Sequence, residues 1–258
     1  MKKLIFLLLF LIILSGCTYI NFDKRTSNSF PNRDINKQEV KNFIPVNYKA
    51  VNKNDWSDSV YIEKLVINGE YFYFFPLLPE SSPLESADTI KILLLKYNRE
   101  KDYYYKVDEY LGEGNMNLKI MEVNDIDNDD VSELFVSFDE NWGGSGTAHY
   151  IKVFKIYQDK IREIFSINDT ISRLYLNDTP KRIMGASFIW AEGKTHFGCH
   201  YWDINEYHYD NEDGFYLYNT SRTKVKYDMG DEYQVDYKNC FPFPTDLYNF
   251  FESERMIR

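Results

Sequence analysis

The sequence is short of several things, and each shortage closes off a class of function. Cysteine is rare, with 3 in 258 residues, so the chain is neither a disulfide-dense scaffold nor a zinc ribbon. Histidine numbers only 4. His196, Cys199 and His200 stand close together, but Gly198 and the surrounding aromatics argue against the helix that would bring both rings to one face. They read as surface or packing residues rather than zinc ligands. Positive charge is also scarce: 30 Lys and Arg stand against 40 Asp and Glu, a net charge of −10, which nucleic acid would repel. No apolar run approaches the roughly 20 residues of a spanning helix. There is no phosphate loop and no dinucleotide fingerprint. The stretch Trp142-Gly143-Gly144-Ser145-Gly146 is followed by Thr147 and so misses the Gly-x-Ser-x-Gly nucleophile elbow. Acid pairs among Asp228, Asp231, Glu232 and Asp236 have the chemistry of glycoside hydrolysis, but such pairs are common in any acidic chain.

What the chain has in quantity is aromatic surface. Apolar residues make up 44% and aromatics 17%, with 22 Tyr and 19 Phe, which excludes disorder as the main state and favours strands. Residues 18 to about 55 are rich in Asn, Lys, Ser and Asp without a sustained period, and predict a polar tether. From 56 onward short strands follow one another. Val60–Ile67 and Tyr71–Phe75 flank Asn68-Gly69, a strong hairpin signal. Pro76, Pro79 and Pro83 then predict a break. Further hairpins are expected at 90–107, 118–138, 150–167 and 204–218, a single strand at 182–191, and a short C-terminal helix capped by Thr245-Asp246 with Leu247, Phe250 and Phe251 inward. The strands ending at Tyr97, Tyr157 and Tyr209 lie 60 and 52 residues apart, each followed by a polar turn and an aromatic return strand. The expectation is a mostly-β fold of antiparallel hairpins, propeller-like or a partial propeller, with a β-sandwich as the alternative. Exposed aromatics such as Trp142 or Trp202 would suit a sugar ring or a partner protein.

The first residues are ordered in a different way. Met1-Lys2-Lys3 is positive, Leu4 to Leu14 is apolar, and Leu14-Ser15-Gly16-Cys17 follows. This order is a secretory signal, and its end resembles the lipobox of bacterial lipoproteins. The resemblance implies a signal peptide at 1–16 and a diacylglyceryl group on Cys17. It also implies a chain held by lipid to the outer face of the cytoplasmic membrane, or to an outer membrane where there is one. A tether at 17–55 and a β-rich globular domain at 56–258 complete that division.

One stretch carries chemistry: Asp125-Ile126-Asp127-Asn128-Asp129-Asp130-Val131-Ser132-Glu133. Alternate acids in a tight loop point to one centre, and calcium takes six to eight oxygen ligands. Asp125, Asp127 and Asp129 would offer side chains, Val131 its carbonyl, and Glu133 would close the site. An EF-hand is excluded, because its twelfth position here is Val136. The loop resembles the calcium-binding hairpins of FG-GAP and VCBS-type repeats of integrin-like β-propellers, which read Asp-x-Asp-x-Asp-Gly-x-x-Asp/Glu between two strands. It departs at Asp130, where the family prefers Gly. Asn177-Asp178-Thr179-Pro180 has the look of a degenerate second copy without the acids. The competing reading of 125–133 is an acidic surface turn with no ion.

Cys199 and Cys240 either pair as a disulfide in an oxidising compartment or remain buried thiols. Together these features lead to the expectation of a membrane-anchored envelope lipoprotein that binds or scaffolds a protein or glycan partner, with one calcium ion and no catalytic residues assigned. An envelope enzyme acting on glycan, or an inhibitor or immunity-type interaction protein, are the alternatives.

Overall fold

Turns whose two central residues both take a left-handed backbone match the right-handed twist of paired strands. Asn68 (φ 51°) and Gly69 (φ 76°) make such a turn, and Gln158 (φ 51°) with Asp159 (φ 59°) makes another without glycine. Turns of this kind organise the computed structural model, which describes residues 35, 37–51, 61–80, 89–114, 116–141, 147–189, 199–228, 240–242, 244 and 246–255.

A five-residue helix, α1 (Lys37–Lys41), precedes β1 (Tyr48–Ala50), β2 (Glu63–Ile67), β3 (Glu70–Pro79), β4 (Lys91–Asn98) and β5 (Tyr103–Leu111). β2 to β5 form an antiparallel meander, and β1 pairs with the far end of β3. A second meander contains β6 (Met116–Asn124), β7 (Glu133–Asn141), β8 (Thr147–Tyr157) and β9 (Lys160–Asn168). The third begins with β10 (Ile171–Tyr175) and β11 (Arg182–Phe188); the short β12 (Cys199–His200) follows in sequence, and β13 (Trp202–Asp210) and β14 (Gly214–Arg222) complete the sheet. β12 instead joins β15 (Lys226–Asp228) and β16 (Cys240–Pro242) in a small mixed sheet whose β15–β16 pair is parallel. The last described element is α2 (Leu247–Arg255).

The fold is therefore mostly β, built of antiparallel hairpins with a short C-terminal helix, and no sheet closes into a barrel among the described residues. The repetition seen in sequence corresponds to three four-stranded meanders. Tyr97, Tyr157 and Tyr209 lie at the ends of their third strands, β4, β8 and β13. In every meander the ladder between third and fourth strands slips, at Leu94/Leu95, Val153/Phe154 and Glu206/Tyr207. Such slips raise local twist.

Period-two alternation explains the stacking. On the second sheet Leu134, Val136, Phe138, Phe154 and Ile156 face the first sheet's Phe72, Phe74, Ile92 and Leu94. Their neighbours Phe135, Ile151 and Val153 point the other way, onto Ile183 and Phe215 of the third sheet. Met184, Trp202 and Ile204, on the far face of that third sheet, pack with Tyr227, Phe250 and Phe251. Each large apolar side chain buried in this way contributes about 1.5–3 kcal/mol. Asp246 Oδ1 accepts from Asn249 N at 3.4 Å, which starts α2 and turns Phe250 and Phe251 into that last core.

Three expectations need correction. Pro76 and Pro79 do not break the ladder: both lie in β3, Pro76 opposite Ile92 and Pro79 opposite Tyr48. Proline lacks only the donor, and the Pro76 carbonyl still accepts from Val51 N. The 17–55 segment, expected to be a polar tether, contains a strand of the first sheet: Tyr48–Ala50 pairs with the far end of β3. Trp202 is no exposed platform: it is 0% exposed, with its ring against Phe188 and Phe250.

Cys199 and Cys240 are joined by a disulfide, with Cα atoms 5.6 Å apart and a sequence separation of 41. Strands as short as β12 and β16 hold few ladder bonds, so a covalent link matters there. Changing both cysteines to Ser is expected to lower stability by about 2–4 kcal/mol, read as a reduced midpoint in urea denaturation.

Candidate metal centre

The acidic loop joins β6 to β7, and its backbone is held by its own side chains. Asp125 Oδ1 accepts from Asp129 N at 3.1 Å and its Oδ2 from Asp130 N at 3.0 Å. Asp129 Oδ1 accepts from Val131 N at 3.0 Å. Asn128 (φ 59°) and Asp130 (φ 66°) take the left-handed conformation, which Asn and Asp tolerate best after Gly. Asp130 thus makes the turn for which the resembling repeats use Gly.

Ile126 ties the loop to the core. Its side chain is buried in the interface of the second and third sheets. Its N–H donates to Glu133 Oε2 at 2.8 Å, and its carbonyl accepts from Lys181 Nζ at 2.6 Å. Glu133, the first residue of β7, is 0% exposed.

Asp125, Asp127 and Glu133 come together, each with a carboxylate oxygen within 4.8 Å of the others, an arrangement that could hold a metal ion. Asp129 is not in this triad. Its Oδ2 lies 2.9 Å from Lys155 Nζ. Val131 contributes its N–H to Asp129.

Lys155, on β8, is the residue that the sequence did not single out. Its ammonium lies 2.5 Å from Asp127 Oδ2, 2.7 Å from Glu133 Oε1 and 2.9 Å from Asp129 Oδ2. Burial works to lower the ammonium's pKa, yet hydrogen bonds to Asp127, Glu133 and Asp129 carry it above the usual lysine range. Burial pushes the Glu133 carboxyl up, by more than Lys155 and the Ile126 N–H pull it down. For Asp129 the balance is the other way: burial raises it, but Lys155 and the Val131 N–H hold it below the usual carboxylate range. One signal could have found Lys155. It continues the inward face set by Ile151 and Val153, and a lysine at such a position needs a partner.

The remaining candidates fall elsewhere. His196, Trp142 to Gly146, Asp231, Glu232 and Asp236 lie outside the described residues, and Asp228 ends β15. Cys199 is in the disulfide. His200 is buried with Nδ1 3.2 Å from the Ile189 carbonyl, and His208 pairs with Glu206 at 2.8 Å and stacks on Tyr218. The degenerate copy occupies the equivalent turn of the third sheet, between β10 and β11. There Asp178 Oδ2 accepts from Arg182 Nε at 3.1 Å and from Nη2 at 2.9 Å. A polar cleft of about 280 Å³ lies near the first hairpins, where Lys96 is held by Glu70 at 2.7 Å and Asp159 at 3.0 Å. No family model, curated protein or solved structure matches the chain.

Proposed function

We propose that this chain is an exported lipoprotein, anchored through lipid on Cys17, whose β domain serves as a binding or scaffolding module at the cell envelope. Calcium stiffens its Asp125–Glu133 loop, in the manner of an FG-GAP or VCBS-like hairpin. The observation that carries the calcium reading is the carboxylate triad. Ligand oxygens about 2.3–2.6 Å from an ion lie up to about 5 Å apart across it, and the oxygens of Asp125, Asp127 and Glu133 lie within 4.8 Å of one another. Asp127 Oδ1 is buried and without a hydrogen bond, as an oxygen that serves an ion would be. Because Ile126 is packed between the second and third sheets, an ion in this loop would stiffen their junction and steady the surface that the domain presents.

Thermal unfolding of the mature full-length chain tests this. Millimolar calcium is expected to raise the melting temperature by about 3 °C or more, and chelator to reverse the rise. Asp127→Ala should abolish the shift. A wild-type melting temperature indifferent to calcium would remove the ion from this reading.

A further inference from the structure

Resting on the calcium reading of the loop, we propose that Lys155 is a tethered competitor for the ion: its ammonium and a divalent cation hold the same centre in turn. The ammonium lies at 2.5 Å from Asp127 and 2.7 Å from Glu133, which are two of the three triad residues. A calcium ion bonded to those same carboxylates would sit at nearly the same place, and two cations cannot share it against their mutual repulsion.

A second observation shows that the centre is built for a cation and does not merely collect surface acids. Glu133 is 0% exposed, and its Oε1 meets the Lys155 ammonium at 2.7 Å. A fully buried carboxylate oxygen with only this contact calls for a positive charge. Lys155 supplies one on a flexible four-carbon stem. With its side chain 15% exposed, the ammonium has a short way to travel to solvent. At the equivalent turn of the third sheet the cation is local, with Arg182 at the start of β11 holding Asp178. A built-in cation keeps the fold intact when calcium is absent. It also weakens the site, so that only abundant calcium displaces the lysine.

The test is calcium titration of wild type and Lys155→Met, followed by calorimetry and by melting temperature in chelator. The variant should bind calcium about tenfold or more tighter than wild type, and in chelator it should melt below wild type and recover with calcium. Equal affinity in both proteins would keep the calcium reading and overturn the competition. A calcium response in the variant alone would support the competition and overturn the reading that wild type takes up the ion. No response in either would overturn both. If the variant folds neither with nor without calcium, wild type decides through amine acylation: calcium should raise labelling of Lys155 several-fold, and an unchanged rate overturns the proposal.

Discussion

Glu133→Ala is expected to destabilise the domain by about 3–5 kcal/mol, because it breaks a buried ion pair from one side. Two losses add. Lys155 loses a partner at 2.7 Å while its side chain remains 15% exposed, and the Ile126 N–H, bonded to Glu133 Oε2 at 2.8 Å, is left without its acceptor. The consequence reaches beyond the loop, since Ile126 is packed in the interface of the second and third sheets. Glu133→Gln should cost less, about 1–3 kcal/mol, because an amide oxygen can still accept from Ile126 while the charge is gone. Urea denaturation of the two variants beside wild type separates these contributions. A loss under about 1 kcal/mol for Glu133→Ala would mean that the carboxylate holds nothing in place.

Cys17→Ser has the largest expected effect on where the protein is found. Wild type should carry radiolabelled palmitate and sediment with membranes, whereas the variant should carry none and accumulate as unprocessed precursor. The physical ground is the anchor. Each buried methylene contributes about 0.8 kcal/mol, and one acyl chain holds only marginally, so stable attachment needs more than one. The eleven residues Leu4 to Leu14 are too few to substitute as a spanning helix, which takes about 20. Labelling of the variant equal to wild type would defeat the lipid assignment.

Much of the fold was legible because its signals are local. Asn68-Gly69 marks a turn by backbone geometry alone, and the Tyr97, Tyr157 and Tyr209 spacings correspond to three meanders with the same slip between third and fourth strands. α2 was readable from Asp246 and the spacing of Leu247, Phe250 and Phe251. What escaped depends on distant partners. Tyr48-Lys49-Ala50 is too short to show a period, and it is a strand only because the far end of β3 pairs with it. Pro76 and Pro79 look like breakers until that pairing is known.

The site divides the same way. The acids of the loop lie close in sequence, so Asp125, Asp127 and Glu133 could be read together. Alternate acids converging on one centre pointed to an ion. That inference was incomplete, because Lys155, brought in on β8, already sets a positive charge among Asp127, Asp129 and Glu133.

The most direct measurement is a crystal structure of the mature chain grown in calcium, with anomalous scattering recorded at the loop. An ion is expected within about 2.3–2.6 Å of oxygens from Asp125, Asp127 and Glu133, with the Lys155 ammonium turned out of the centre. Lys155 still bound to Asp127 and Glu133, with no ion beside them at saturating calcium, would contradict it.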